Sequence, residues 1–232
     1  MGKKLFKNLD LFIFDMDGLL FDTETIYVNY GKELAKEAGY IITDEIIEKT
    51  TGMTEENVEA VYIRELGKNF PYKELSGKVY KYIIEQAKNG SIPLMTGAEE
   101  ILQYLHNNDK KMVLATSADS LMANTLIENK GLKKYFSHII TANDVTNGKP
   151  NPEVFLTAAE KAGISPEKSA VFEDSFNGIR AAHSAGMYPV MIPDKLQPTD
   201  EIKKLVHKKF DNLLEVIELK RLSQFTNMKV TC

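Results

Sequence analysis

The sequence has few of the features that mark secreted, membrane or nucleic-acid-binding proteins. Its one cysteine, Cys232, is the last of 232 residues, so no internal disulfide can form and a reducing compartment is expected. No apolar run approaches the ~20 residues of a membrane span, and the start, MGKKLFKNLD, lacks the apolar core of a signal peptide. The formal net charge is -4, without the basic excess that general nucleic-acid binding requires. We therefore expect a cytoplasmic monomer with no nucleic-acid or membrane partner.

Short apolar runs recur along the chain. They are LFIF (11–14), MVLA (112–115), HIITA (138–142), SAVF (169–172) and PVMI (189–192). Each is too short for a helix and lacks polar alternation, which is typical of strands buried on both faces of a parallel sheet. Helical stretches separate the later runs, such as the one that follows Asn151 and stops at Gly163, and a lysine-rich stretch at 203–209 is predicted to be the solvated face of another helix. The pattern predicts an α/β fold with an open, doubly wound parallel sheet.

Residues 22–90 break this alternation, because they contain several amphipathic helical patterns and no comparable apolar run. We predict an inserted all-helical domain, the cap, over residues 22–90. The α/β core then comprises 1–21 and 91–220, and 221–232 form a C-terminal tail. A more elaborate α/β domain without a separate cap is the simpler alternative.

Polar side chains follow four of the apolar runs, just past the end of each predicted strand or, for Lys149, in the loop before the helix that follows Asn151. In chain order they are Asp15 and Asp17, Thr116 and Ser117, Lys149, and Glu173 and Asp174. Because ligands of a parallel sheet bind outside the carboxyl ends of its strands, we expect these side chains to converge. The acids suit a hard divalent cation, while the lysine and hydroxyl groups suit an anion beside it. Each group alone could belong to a turn, a helix cap or a solvated loop. These alternatives do not explain why polar side chains follow four predicted strands in the same way.

The motifs DMDGLLFDTE, ATS, GKPNPEVF and FEDSFNGIRAA resemble the four motifs of the haloacid dehalogenase superfamily of phosphohydrolases. The resemblance extends to about Asp211, and within the superfamily the chain looks like the branch of β-phosphoglucomutase and sugar-phosphate phosphatases. It implies an α/β core with a helical cap. It also implies Mg²⁺-dependent hydrolysis of a small phosphorylated metabolite, such as a sugar phosphate, through an aspartyl-phosphate.

The resemblance also implies roles for individual residues. Asp15 would be the nucleophile and Asp17 the general acid–base. The implied metal site comprises Asp15, Asp17 through its backbone carbonyl, Asp174, and Glu173 as a ligand or close neighbour. The implied substrate-binding residues are Gly18, Thr23, Thr116, Ser117 and Lys149.

Two departures from the mutase pattern favour hydrolysis over isomerisation. Tyr27 stands where the mutases carry a histidine, and Glu55 stands where they carry the arginine that binds a second phosphate. A β-phosphoglucomutase-type mutase stays the alternative, in which Lys73 or Lys78 would bind that phosphate. A receiver-like signalling domain or a non-catalytic phosphate-binding module is a further alternative. Lys149 precedes the second acidic pair, which counts against a receiver domain. Every motif residue is present, which counts against a non-catalytic module.

Overall fold

The computed structural model describes residues 8–51, 53 and 55–218, so the predicted tail at 221–232 and the segment 1–7 lie outside the described residues. At its centre is a parallel sheet in the order β3-β2-β1-β4-β5-β6. The strands are β1 (Leu11–Phe14), β2 (Lys111–Ala115), β3 (His138–Ile140), β4 (Ser169–Glu173), β5 (Tyr188–Met191) and β6 (Lys208–Lys209). The predicted doubly wound α/β fold is confirmed.

Strand β1 lies in the middle of the sheet and is buried on both faces. Phe12 and Phe14 point to one face, where the Phe14 ring stacks on the Phe172 ring with centroids 4.8 Å apart. Leu11 and Ile13 point to the other face, beneath helices of the core. Both faces of the strand are therefore apolar, which explains why the run LFIF shows no polar alternation.

Between β1 and the second strand the chain forms four helices: α1 (Thr23–Glu37), α2 (Asp44–Thr50), α3 (Glu55–Leu66) and α4 (Tyr72–Lys88). The described residues between 22 and 90 contain no strand, in agreement with an all-helical insertion. Helix α4 packs on α1 within the cap, and the buried side chains of the cap join the cluster on the Phe14 face of the sheet. The domain limits at 22 and 90 stay predictions.

The core helices follow as α5 (Ala98–His106), α6 (Ser120–Asn129), α7 (Glu153–Ala162), α8 (Phe176–Ser184) and α9 (Asp200–Leu205). Helix α7 ends where predicted, at Gly163, whose φ of 66° is the left-handed conformation that favours glycine. The prediction of one helix over 203–209 is wrong, because α9 ends at Leu205 and Lys208–Lys209 form the edge strand β6. No helix in the described part of the chain has the length and apolar character needed to cross a membrane.

Candidate active site

The polar residues singled out in the sequence meet at the carboxyl edge of the sheet. The parallel register sets Phe14 beside Leu114 and Phe172, so the residues that follow these three strand positions emerge together. Asp15, Thr116, Glu173 and Asp174 are all buried there. Lys149 reaches the same point from the loop between β3 and α7, as the sequence predicted.

Lys149 connects two of the acids. Its Nζ donates to Asp15 Oδ1 at 2.5 Å, to Glu173 Oε1 at 2.7 Å and to the carbonyl of Ala115 at 3.2 Å. The lysine side chain is only 6% exposed, and burial alone would lower its pKa. Asp15 and Glu173 outweigh that effect and raise the pKa of Lys149, so the ammonium stays charged.

Glu173 is fully buried, and both of its carboxylate oxygens accept hydrogen bonds. Besides the bond from Lys149, its Oε2 accepts from the backbone N–H and the hydroxyl of Ser175, each at 2.9 Å. A Cβ on Gly178, in the first turns of α8, would lie 1.8 Å from Glu173 Oε1. Gly178 therefore leaves the space that Glu173 fills. This role could not be predicted from the sequence, in which Gly178 is simply a glycine within a predicted helix.

Asp17 is held by two hydroxyl groups. Thr23 Oγ1, at the start of α1, donates to Asp17 Oδ1 at 2.6 Å, and Thr116 Oγ1 donates to Asp17 Oδ2 at 3.4 Å. Desolvation raises the pKa of Asp17, and the bond from Thr23 partly opposes it. The predicted substrate-binding residues Thr23 and Thr116 thus contact an acid of the site directly.

Gly18 turns the chain beside these acids with a φ of 73°. Its N–H donates to the carbonyl of Phe21 at 2.9 Å, closing a tight turn after Asp17. A Cβ at this position would lie 2.5 Å from Asp174 Oδ2. Gly18 is therefore required both for the turn and for the close approach of Asp174.

The site carries more negative than positive charge. Burial raises the pKa of Asp15 to about 8 against the opposing effect of Lys149, and Glu173 and Asp17 raise it further. Burial, followed by repulsion from Glu173 and Asp15, raises the pKa of Asp174. Asp15, Glu173 and Asp174 each offer an oxygen within 4.8 Å of the others. These hard oxygen donors, with one lysine among several acids, suit a divalent cation such as Mg²⁺.

A cavity of about 920 Å³ separates this edge of the sheet from the cap. Asp17 and Ser117 form part of its floor, and the four helices of the cap, α1, α2, α3 and α4, form its walls. Ser117 and Lys149 also border a smaller cavity of about 260 Å³ on the core side. Ser117 is exposed to this space rather than hydrogen-bonded to the acids, so it is available to a ligand in either cavity.

Two features of the large cavity, one hydrogen bond and one shifted pKa, have no signal in the sequence. Tyr80 of α4 donates its hydroxyl to Asp119 Oδ2 at 2.6 Å, which joins the cap to the loop that carries Thr116. Burial raises the pKa of Glu24 to about 7, with further contributions from Asp194 and Asp17. Both features depend on how the cap packs against the core, which residue spacing does not show.

The residues that bear on a second phosphate are found at the cap. Tyr27 lines the large cavity, whereas the side chain of Glu55 lies outside the described residues. Lys73 also lines the cavity, but its side chain is 81% exposed and lies 3.5 Å from Glu59. Lys78 pairs with Glu74 at 2.7 Å on the outside of α4. Neither lysine is held at the cavity as a binding group for a second phosphate.

Comparison with known proteins gives consistent matches over most of the chain. The family model of haloacid dehalogenase-like hydrolases matches residues 12–192. A Drosophila melanogaster protein named "probable pseudouridine-5'-phosphatase" is 35% identical over 205 residues, covering 84% of this chain and 86% of that protein. The Thermotoga maritima phosphorylated carbohydrates phosphatase is 32% identical, covering 77% and 82%. The crystal structure of β-phosphoglucomutase from Clostridium difficile shares the fold, with a TM-score of 0.70 at 23% identity, over 95% of this chain and 99% of that one.

Proposed function

Because the chain belongs to the haloacid dehalogenase-like hydrolase family and is a phosphoric monoester hydrolase, we propose a specific reaction for it. The protein is a Mg²⁺-dependent phosphatase that hydrolyses a small phosphorylated sugar through an aspartyl-phosphate on Asp15. The observation that carries this proposal is the arrangement around Asp15. Lys149 bonds to Asp15 and Glu173, and Asp17 is oriented by two hydroxyl groups at the edge of the cap cavity.

In the first half of the reaction, a carboxylate oxygen of Asp15 attacks phosphorus, and the bond from phosphorus to the ester oxygen breaks. The carboxylic acid form of Asp17 donates its proton to the departing alkoxide. In the second half, the Asp17 carboxylate takes a proton from a water molecule, and that water attacks phosphorus. Inorganic phosphate leaves, Asp15 is regenerated as a carboxylate, and Asp17 is again protonated.

Asp17 suits this double role because it is buried enough to raise its pKa and is still held by hydrogen bonds at the edge of the cavity. Burial raises its pKa, which shifts the group toward the protonated form that the first step needs. The hydrogen bonds from Thr23 and Thr116 fix the orientation of the carboxyl group. Thr116, Ser117 and Lys149 are proposed to bind the phosphoryl oxygens, where charge stabilisation contributes most to catalysis.

The donor set fits Mg²⁺, which would be held by Asp15, the backbone carbonyl of Asp17 and Asp174. The ion would supply charge stabilisation of the phosphoryl oxygens. Glu173 is proposed to position Lys149 rather than to bind the metal, because both of its oxygens already accept hydrogen bonds. This refines the metal site expected from the sequence, which included Glu173.

Hydrolysis is favoured over the mutase alternative because Lys73 and Lys78 are exposed and paired with acids of the cap. A mutase must bind a second phosphate while the first is transferred, and these lysines offer no buried cation for it. We also propose that the protein acts as a monomer in the cytoplasm, as the sequence predicted, on a small metabolite and not on nucleic acid or membranes.

The test measures phosphate release from p-nitrophenyl phosphate and from sugar phosphates, with Mg²⁺ and with EDTA. We expect turnover only with Mg²⁺, and a loss of at least about 1,000-fold in Asp15→Asn, whose amide is a poor nucleophile. Asp10→Asn, which replaces an exposed acid just before β1, is the matched control and should keep full activity.

Acid quenching during turnover of a ³²P-labelled substrate should leave label on the wild-type protein that hydroxylamine releases, as expected of an acyl phosphate. Near-normal turnover by Asp15→Asn would exclude Asp15 as the nucleophile. Conversion of β-glucose 1-phosphate to glucose 6-phosphate faster than phosphate release would favour the mutase.

A further inference from the structure

The cap cavity provides information about the part of the substrate that leaves with the ester oxygen. We propose that the phosphorylated sugar carries an aromatic ring, as a nucleoside 5′-monophosphate does, and that the cap cavity binds this ring. The inference rests on the proposed function, because it takes the phosphoryl group to lie at Asp15 and the leaving group to extend past Asp17 into the cavity.

Part of the cavity lining is aromatic. Tyr27, Tyr62 and Tyr72 all line it. The Tyr62 ring lies 5.4 Å from the Tyr72 ring and 5.5 Å from the Phe70 ring, measured between centroids, so a continuous aromatic cluster supports the wall. Aromatic side chains of this kind bind nucleobases by stacking. An unsubstituted sugar would instead set hydroxyl groups against this wall, where they would lose hydrogen bonds to water.

Helix α1 connects this aromatic wall to the acids at the edge of the sheet. Thr23, Tyr27 and Gly31 are four residues apart along α1, so they share one face of the helix, and all three line the cavity. Thr23 contacts Asp17 at 2.6 Å. Tyr27 is one turn further along α1 than Thr23, so its side chain lines the cavity next to the residue that holds Asp17.

The charges around the cavity argue for a neutral leaving group with hydrogen-bond donors. Glu24 lines the cavity and is a hydrogen-bond acceptor suited to a sugar hydroxyl group, and Asp119, which already accepts from Tyr80 and Met122, adds a second acid to the lining. Lys73 is the one lysine or arginine among the described lining residues, and it is mostly exposed. A substrate with a second phosphate would meet these two acids without a buried cation to offset the repulsion.

The size of the cavity agrees with a two-ring ligand. Its volume of about 920 Å³ is near the upper end of the roughly 300–1,000 Å³ that small-molecule sites occupy. A single sugar phosphate would leave much of the apolar part of this space in contact with water. A sugar together with an aromatic base would extend from Asp17 to the tyrosine wall.

The experiment compares phosphate esters with and without an aromatic base. Phosphate release is measured for uridine 5′-monophosphate, adenosine 5′-monophosphate, ribose 5-phosphate and glucose 6-phosphate, and p-nitrophenyl phosphate, an activated ester, shows whether the protein is an active phosphatase. Ribose 5-phosphate is the matched control because it keeps the phosphate and the sugar and lacks the base. We expect kcat/KM for at least one nucleotide to exceed that for ribose 5-phosphate by about 10-fold or more, as expected when a base stacks on an aromatic wall.

A variant pair assigns the preference to the wall. Tyr27 is 39% exposed, so Tyr27→Leu should fold normally while removing a ring of the cavity. It should reduce the ratio of kcat/KM between the nucleotide and ribose 5-phosphate by about 10-fold. Tyr82→Leu is the control: this tyrosine stacks on Tyr30 elsewhere in the cap, at 3.9 Å between centroids, and is not part of the cavity lining. It should leave the ratio unchanged.

The possible failures are distinguishable. If p-nitrophenyl phosphate and all four metabolites release no phosphate with Mg²⁺, the proposed function is wrong and this inference falls with it. If p-nitrophenyl phosphate is hydrolysed but ribose 5-phosphate or glucose 6-phosphate equals or exceeds both nucleotides, the phosphatase assignment stands and the aromatic leaving group is wrong. An unchanged ratio in Tyr27→Leu would also overturn the binding of the ring to this wall.

Discussion

Lys149 is the residue on which the charge balance of the active site depends. It is the cation that contacts Asp15 and Glu173, and it is held between them by hydrogen bonds of 2.5 and 2.7 Å. Its presence beside acids could be predicted from the motif GKPNP in the sequence. Its bond to Glu173 could not, because the position of Glu173 depends on Gly178 and Ser175 in the first turn of the following helix.

Replacing Lys149 by methionine should destabilise the protein in a pH-dependent manner. In EDTA at pH 8, the free energy of unfolding should fall by about 3–5 kcal/mol, because buried carboxylates lose their cation. At pH 5 the loss should be smaller, since protonation of the acids relieves their repulsion. Urea unfolding followed by circular dichroism at the two pH values measures the difference.

Lys168→Met provides the control for that measurement. Lys168 is 60% exposed and lies 3.4 Å from Asp10 at the surface, so its removal should cost at most about 1 kcal/mol at either pH. A loss in Lys149→Met that is the same at pH 5 and pH 8 would show that packing, and not charge, accounts for the effect.

Among the elements, those with a strong local pattern could be predicted and those that depend on docking could not. The apolar run at 11–14 coincides with β1, because a strand buried on both faces must be apolar throughout. Strand β6 was missed because its two residues are exposed lysines, which suit the edge of a sheet but carry no hydrophobic pattern. The hydrogen bond from Tyr80 of α4 to Asp119 at the start of α6 could not be predicted either, because the two residues are 39 positions apart in the sequence.

That contact predicts how α4 is held against the core. Tyr80 donates to Asp119 at 2.6 Å, and Asp119 also caps α6 by accepting from the N–H of Met122 at 2.9 Å. Tyr80→Phe removes one hydrogen bond to a charged group, worth about 1–2 kcal/mol. We expect the α4 amides to exchange their hydrogens about 5–30-fold faster, and KM to rise because the cap closes less firmly over the substrate.

Hydrogen exchange followed by mass spectrometry resolves α4 from the core helices, so the two can be compared in one experiment. Tyr82→Phe on the same helix is the control, because the ring of Tyr82 keeps its stacking on Tyr30 when the hydroxyl is removed. Equal exchange rates in Tyr80→Phe and in the wild type would mean that other contacts suffice to hold α4. Such contacts exist at its end, where Asn129 and Lys130 donate to the carbonyls of Lys88 and Gly90.

At the scale of the whole molecule, the acids at the sheet edge link folding to pH. Burial raises the pKa of Asp15 to about 8, far above its value in an unfolded chain. Between about pH 4 and pH 8 the folded protein therefore holds a proton that the unfolded chain has released. The contribution of Asp15 to stability is fully present at low pH and is lost as the pH rises toward 8. Glu24, with a pKa raised to about 7, acts in the same direction.

Without a metal ion, the free energy of unfolding should therefore decrease as the pH rises from 5 to 8, by up to ~1.4 kcal/mol per pH unit for each proton involved. As the proposed cofactor, Mg²⁺ would favour the ionised acids and bind the folded chain alone, so at 100 times its Kd it should add about 2.7 kcal/mol at pH 8. At pH 5 it should add less, because it competes with protons for Asp15. Thermal unfolding in EDTA and in Mg²⁺ across this range measures both effects.

The variant Asp15→Asn should weaken the pH dependence in EDTA and also reduce the Mg²⁺ effect, because the Asp15 carboxylate is responsible for part of each. If the variant lost only one of the two, the acid that titrates and the acid that binds the metal would be different residues.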